Sequence, residues 1–128
     1  MNKSDFKVGQ TVYIRIIPGS NAARSQSGTD PLKWVFARKV KSVGRRYVTV
    51  EDSYSDIRFD VSNDFKHENL EYEVFLTEEA AIDKVKAVSV GLSISQKLSK
   101  LVSWRTTDIS YTDLIAISEI LDKYEKKI

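Results

Sequence analysis

The stretch YEVFLTEEAAIDKV, residues 72–85, decides the fold class. Its first half alternates. Tyr72, Val74 and Leu76 fall on one side and Glu73 and Phe75 on the other, the period-two pattern of a strand. Its second half changes period. Ala81, Ile82, Val85 and then Val88 recur at helical spacing. Thr77 stands at the switch. A threonine there can cap the first N–H groups of a helix, and Glu78 and Glu79 in the first turn suit the positive end of its dipole.

Upstream of Thr77 the chain reads as strands. Val12, Ile14 and Ile16 alternate with Tyr13 and Arg15 across Gln10–Ile17, and Pro18-Gly19 ends that run. Residues 18–32 are rich in Gly, Ser, Asn, Asp and Pro without periodicity, a connection long enough to suggest function or mobility. Lys33–Val43 is a second strand whose alternation slips, predicting a bulge near Arg38-Lys39. Gly44-Arg45 follows, with Gly44 at the first central position of a type II′ hairpin turn. Arg46–Val50 is the third strand, with Val48 and Val50 inward. Ile57, Phe59 and Val61 mark a fourth, and Tyr72–Leu76 a fifth. Ser62–Glu71 between them is a polar, acidic connection.

Downstream the period is helical. Ile94, Leu98, Leu101 and Val102 extend the stripe towards Trp104, with Gly91 either capping one helix or lying inside a longer one. Arg105–Ile109 breaks the pattern. Ser110 followed by Asp113 is a capping-box-like start, and Leu114, Ile117, Leu121 and Tyr124 form the stripe of a last helix running into Lys126-Lys127. Strands first and helices after is an α+β order. The expected fold is a small five-stranded SH3-like β-barrel over residues 1–77, followed by two or three α-helices over 78–128. Leu98, Leu101, Leu114, Ile117 and Leu121 are too many apolar groups for a free pair of helices. They are expected to pack on the barrel or on a second copy, giving a homodimer through the C-terminal helices.

Composition narrows the function. The 128 residues contain no cysteine and one histidine, which removes disulfides, thiolate nucleophiles, zinc-thiolate sites and any two-histidine centre. No apolar run has the length of a membrane span and no leader is visible, so a cytoplasmic protein without a membrane partner is expected. No phosphate-binding glycine loop, nucleophile elbow or zinc-protease motif occurs. The expectation is a non-enzyme with no catalytic residues, no cofactor and no metal. His67 reads as a surface histidine. Asp52, Asp56, Asp60 and Asp64 recur every four residues, yet lie beside a strand and read as a solvated acidic edge that blocks edge pairing.

The net charge of +2 conceals a segregation. Residues 1–50 hold ten Lys/Arg against two acids, a balance of +8; residues 51–79 hold two against ten, a balance of −8. One reading is that neighbouring strands of opposite sign pair across the sheet. The other is a binding face. Arg38, Lys39, Lys41, Arg45 and Arg46 cluster on one hairpin beside Tyr47, and cations interleaved with an aromatic can grip a nucleic-acid backbone. Trp34 opens the second strand next to the long loop, as either a core aromatic or a contact platform. These six residues are the expected partner- or nucleic-acid-binding set.

FKVGQTVYIRI, ARKVKSVGRRYVTV, YEVFLTEEAA and LSKLVSW…SYTDLIAISEIL together resemble small β-barrel accessory proteins of phages and prophages of Gram-positive bacteria. The resemblance runs from Phe6 to Leu121 and misses the loop at 18–32. Its motifs are strand, turn and cap signatures, and it supplies no catalytic residues. It implies a protein that binds a host protein or nucleoprotein complex and acts by occupancy, with inhibitors of CRISPR nucleases as one such class. The VGxxY hairpin also resembles KOW and other SH3-like modules over about 45 residues, which implies a nucleic-acid-binding module as the alternative.

Overall fold

A computed structural model describes residues 1–24 and 34–125, the Arg24 side chain excepted. The chain divides into two compact units, Met1–Ala87 and Val88–Ile128, taken in turn below. Most of the expected loop at 18–32, and the expected helix end at Lys126-Lys127, lie outside the described residues.

The first unit is a nearly closed antiparallel barrel. Its strands are β1 (Thr11–Ile16), β2 (Val35–Val43), β3 (Tyr47–Val50), β4 (Ile57–Asp60), β5 (Lys66–His67) and β6 (Tyr72–Phe75). They follow the order β5-β4-β3-β2-β1-β6, so β5 and β6 are the two ends of the sheet. One strand more is present than the sequence pattern predicts. β5 is only two residues long and pairs Phe59 with His67 and Asp60 with Lys66. A pair of residues has no readable period. The reversal that delivers it runs through Asp64 and Phe65, both left-handed at φ 52° and 58°, without a glycine to announce it. A single helical turn, α1 (Asn21–Arg24), also lies in the connection expected to be irregular.

The core follows the period-two reading. Val12, Ile14, Val48, Val50, Phe59 and Val74 are all buried, and Phe6, Val40, Ile57 and Phe65 complete the cluster. Phe6 closes onto Phe65 with ring centroids 5.2 Å apart. β2 belongs to both ladders: its first half pairs β1 from Arg15↔Val35 to Thr11↔Lys39, its second half pairs β3. The bulge that bends it lies between Val40 and Ser42, two residues beyond the expected Arg38-Lys39, and makes Lys41 the extra residue. Val40 reaches the core because the bend comes after it.

The hairpin turn also differs. Gly44 N–H donates to Tyr47 O at 2.8 Å, which leaves Arg45 and Arg46 as the central pair. Neither they nor Gly44 has positive φ, so the turn is not type II′. Among the described residues the positive-φ glycines are Gly9 and Gly19.

The switch at Thr77 stands. Thr77 Oγ1 accepts from Ala80 N–H at 3.1 Å and α2 begins at Glu78. α2 is one helix of 24 residues, Glu78–Leu101, with Gly91 inside it. Ala81 and Val85, its buried residues, belong to the first unit.

In the second unit, α2 ends at Leu101, three residues before the expected Trp104. Ser103 N–H bonds Thr106 O at 2.8 Å, and a Val102↔Thr107 bridge turns the chain. Ser110 caps α3 (Tyr111–Asp122), its hydroxyl accepting from Asp113 N–H at 3.2 Å. Leu98, Leu114 and Ile117 are half-buried, whereas Leu101 and Leu121 are exposed.

Candidate partner-binding surface

Five of the six residues singled out from sequence fall along β2 and its turn to β3, Trp34 directly precedes β2, and the structure sorts them by what they touch. Arg38 donates from Nε to Asp52 at 3.0 Å and lies over the Phe36 ring at 4.3 Å. Lys41, pushed outward by the bulge, donates to Asp56 at 2.7 Å. That hydrogen bond, with the charge behind it, raises the Lys41 pKa. Arg46 donates to Asp60 at 3.3 Å and stacks 5.1 Å from the Tyr47 ring centre, while Arg58 stacks on the same ring at 4.6 Å. Asp60 is itself held below the usual carboxylate range, chiefly by the Ser62 hydroxyl, then by the Ser62 N–H and by Arg46.

Lys39 and Arg45 are exposed and have no ion-pair partner among the described residues. Trp34 is half-buried, and its indole Nε1 is buried without a hydrogen-bond partner among the described residues. Arg38, Lys41 and Arg46 are thus committed to the protein's own acids. The −8 segment folds back along the +8 segment, as the cross-strand reading predicts.

The aspartate series is correspondingly not an edge. β4 lies between β3 and β5, and Asp52, Asp56 and Asp60 answer cations on β2 and its turn. Asp64 follows a 3-10 turn at Val61–Asn63 in the left-handed region, a conformation aspartate tolerates.

A second feature escapes sequence reading. A crevice of about 450 Å³ takes its lining from both end strands, β5 and β6, and from the residues between them. Ile17, Phe65, Leu70, Tyr72 and Leu76 supply apolar walls, and His67 stands among them. These residues come from segments 50 positions apart or from the connection read as polar, so only closure of the barrel gathers them. Leu70, at φ 55°, is turned outward and 57% exposed at the rim.

His67 is half-buried rather than a surface group. Its Nδ1 accepts from Glu71 N–H at 3.2 Å and its ring meets Tyr72 edge-on at 5.0 Å. Burial lowers its pKa, against the opposing pull of Glu71 and Glu68. Burial also raises that of the Tyr72 hydroxyl. Asp52, Asp56, Glu68 and Glu71, with Arg58, surround a smaller polar hollow of about 280 Å³ on its other side.

A family model described as the phage ProQ C-terminal-like domain matches residues 1–125. The chain belongs to that family. The phage association implied by the strand, turn and cap motifs is therefore correct at this level, and the phage ProQ C-terminal-like domain here has the form of a barrel followed by helices. No curated protein and no solved structure matches the chain. Among the described residues of this family member, no helix is long and apolar enough to cross a membrane.

Proposed function

We propose that this phage-family domain is a non-enzymatic accessory module that binds a host protein or nucleoprotein complex and acts by occupying it. One observation carries that reading over direct nucleic-acid binding. Arg38, Lys41 and Arg46 are already paired with Asp52, Asp56 and Asp60. Gripping a phosphate backbone requires cations free to displace counterions, and here those pairs would first have to break. Arg45 and Lys39 remain for steering a partner. The crevice supports the same choice, because a cavity of this size accepts an aromatic or aliphatic anchor from a protein surface. Membership of a phage family makes a bacterial host complex the target class, with a defence nuclease inhibited in an anti-CRISPR-like manner as the first candidate.

The test is a pull-down of the full chain from bacterial lysate, with and without nuclease treatment, followed by a CRISPR-interference assay in cells. A protein partner retained after nuclease treatment is expected. With that partner, Lys39→Glu plus Arg45→Glu should slow association at low salt, and Trp34→Ala should raise the off-rate if the indole is an anchor. Tight, steeply salt-dependent binding to generic DNA or RNA, with no nuclease-resistant partner, would replace this reading by the nucleic-acid-binding alternative. Multiple-turnover chemistry lost on changing one carboxylate would overturn both.

A further inference from the structure

From α2 and α3 we infer that the second unit is a self-association surface, covered in solution by the same unit of a second copy. The inference is independent of the hairpin and the crevice. Its first support is exposure. Between Val88 and Glu125 no side chain is buried, yet Val90 is 58% exposed, Ile94 51%, Leu101 43%, Ile120 54% and Leu121 59%.

The second support is spacing. Gly91, Ile94, Leu98 and Leu101 step by three, four and three, and so do Leu114, Ile117, Leu121 and Tyr124. Both are the a/d rhythm of helices that pack against other helices along a seam. Leu92, 61% exposed, lies off that seam, on the other side of α2.

The third support is charge, and it selects a second copy. From Val88 to Leu101 the charged residues are Lys97 and Lys100, whereas α3 itself carries Asp113, Glu119 and Asp122 and no base; the sequence after it holds Lys123, Lys126 and Lys127 against Glu125. Neither the two lysines of α2 nor the three acids of α3 have an ion-pair partner among the described residues. Lys97 flanks one stripe, and Asp113 and Glu125 flank the other. A two-fold pairing sets α2 of each copy against α3 of its mate, so that one self-complementary patch satisfies both apolar seams and both signs of charge.

Sedimentation equilibrium of the full chain tests this. The mass of two chains is expected at micromolar concentration. Ile94→Glu and Leu121→Glu should each weaken association by at least about 100-fold, since each places a carboxylate in a desolvated seam. Leu92→Glu, off the seam, should leave the dimer intact. Far-UV dichroism must be unchanged in all three for the comparison to count, and Ile94→Ser with Leu121→Ser serves where a glutamate variant misfolds. A wild-type chain that stays monomeric at 100 µM, or a dimer lost in Leu92→Glu but kept in the two seam variants, overturns the inference.

Discussion

Arg15 on β1 and Glu73 on β6 stand directly opposite each other and form an ion pair, with Arg15 only 5% exposed. Its Nε is buried and has no hydrogen-bond partner among the described residues, so among these the guanidinium depends on that carboxylate for compensation. Removing Glu73 alone strands a buried charge. Glu73→Ala should therefore cost about 3 kcal/mol of unfolding free energy. Arg15→Met combined with Glu73→Leu should cost much less, because no charge is left behind. Urea denaturation of the three proteins checks the order, and an equal loss in both variants would contradict it.

His67 gives the fold a pH response of determinate sign. Burial lowers its pKa below the ordinary 6.5, so the unfolded chain binds its proton first as pH falls. Its contribution to stability is intact above about pH 6.5 and is lost on acidification towards the folded-state pKa. Melting temperatures between pH 7.5 and 5 should fall, and His67→Asn should flatten the upper part of that fall. Carboxylate titration accounts for losses below that window. A His67→Asn protein with the full wild-type slope between pH 7 and 6 would remove the histidine from the account.

Two glycines should respond oppositely to alanine. Gly9 has φ +86°, where a Cβ is strained although space is open, so Gly9→Ala should destabilise by about 1–2 kcal/mol. Gly44 has no such φ, and an added Cβ would meet Tyr47 O at an ordinary 3.4 Å. Gly44→Ala should be neutral or stabilise by up to about 1 kcal/mol through the unfolded chain. Strong destabilisation by Gly44→Ala would restore the type II′ turn.

Ser110→Ala should cost about 1 kcal/mol of helix stability, because its hydroxyl satisfies the Asp113 N–H at the start of α3. Ser110→Asp should recover it. Amide exchange of the first turn of α3 reads the effect locally, and unchanged protection in Ser110→Ala would show that the cap contributes nothing.

The hydropathy period alone determined the order of strands and helices, the point of change at Thr77 and the inward valines of β1 and β3. Those features are local: a period or a cap is complete within ten residues. Ser110 was legible for the same reason. Tertiary structure alone decided β5, since two residues acquire strand identity only when Phe59 and Asp60 lie beside them. It decided the turn type, because the Gly44–Tyr47 hydrogen bond depends on a register that the bulge at Lys41 shifts by one. It also decided the candidate surface. The five hairpin cations are equivalent in sequence, and only the return of the acidic segment separates the paired Arg38, Lys41 and Arg46 from Lys39 and Arg45. A charge's availability depends on what folds against it, which is a property of long-range geometry rather than of the residue.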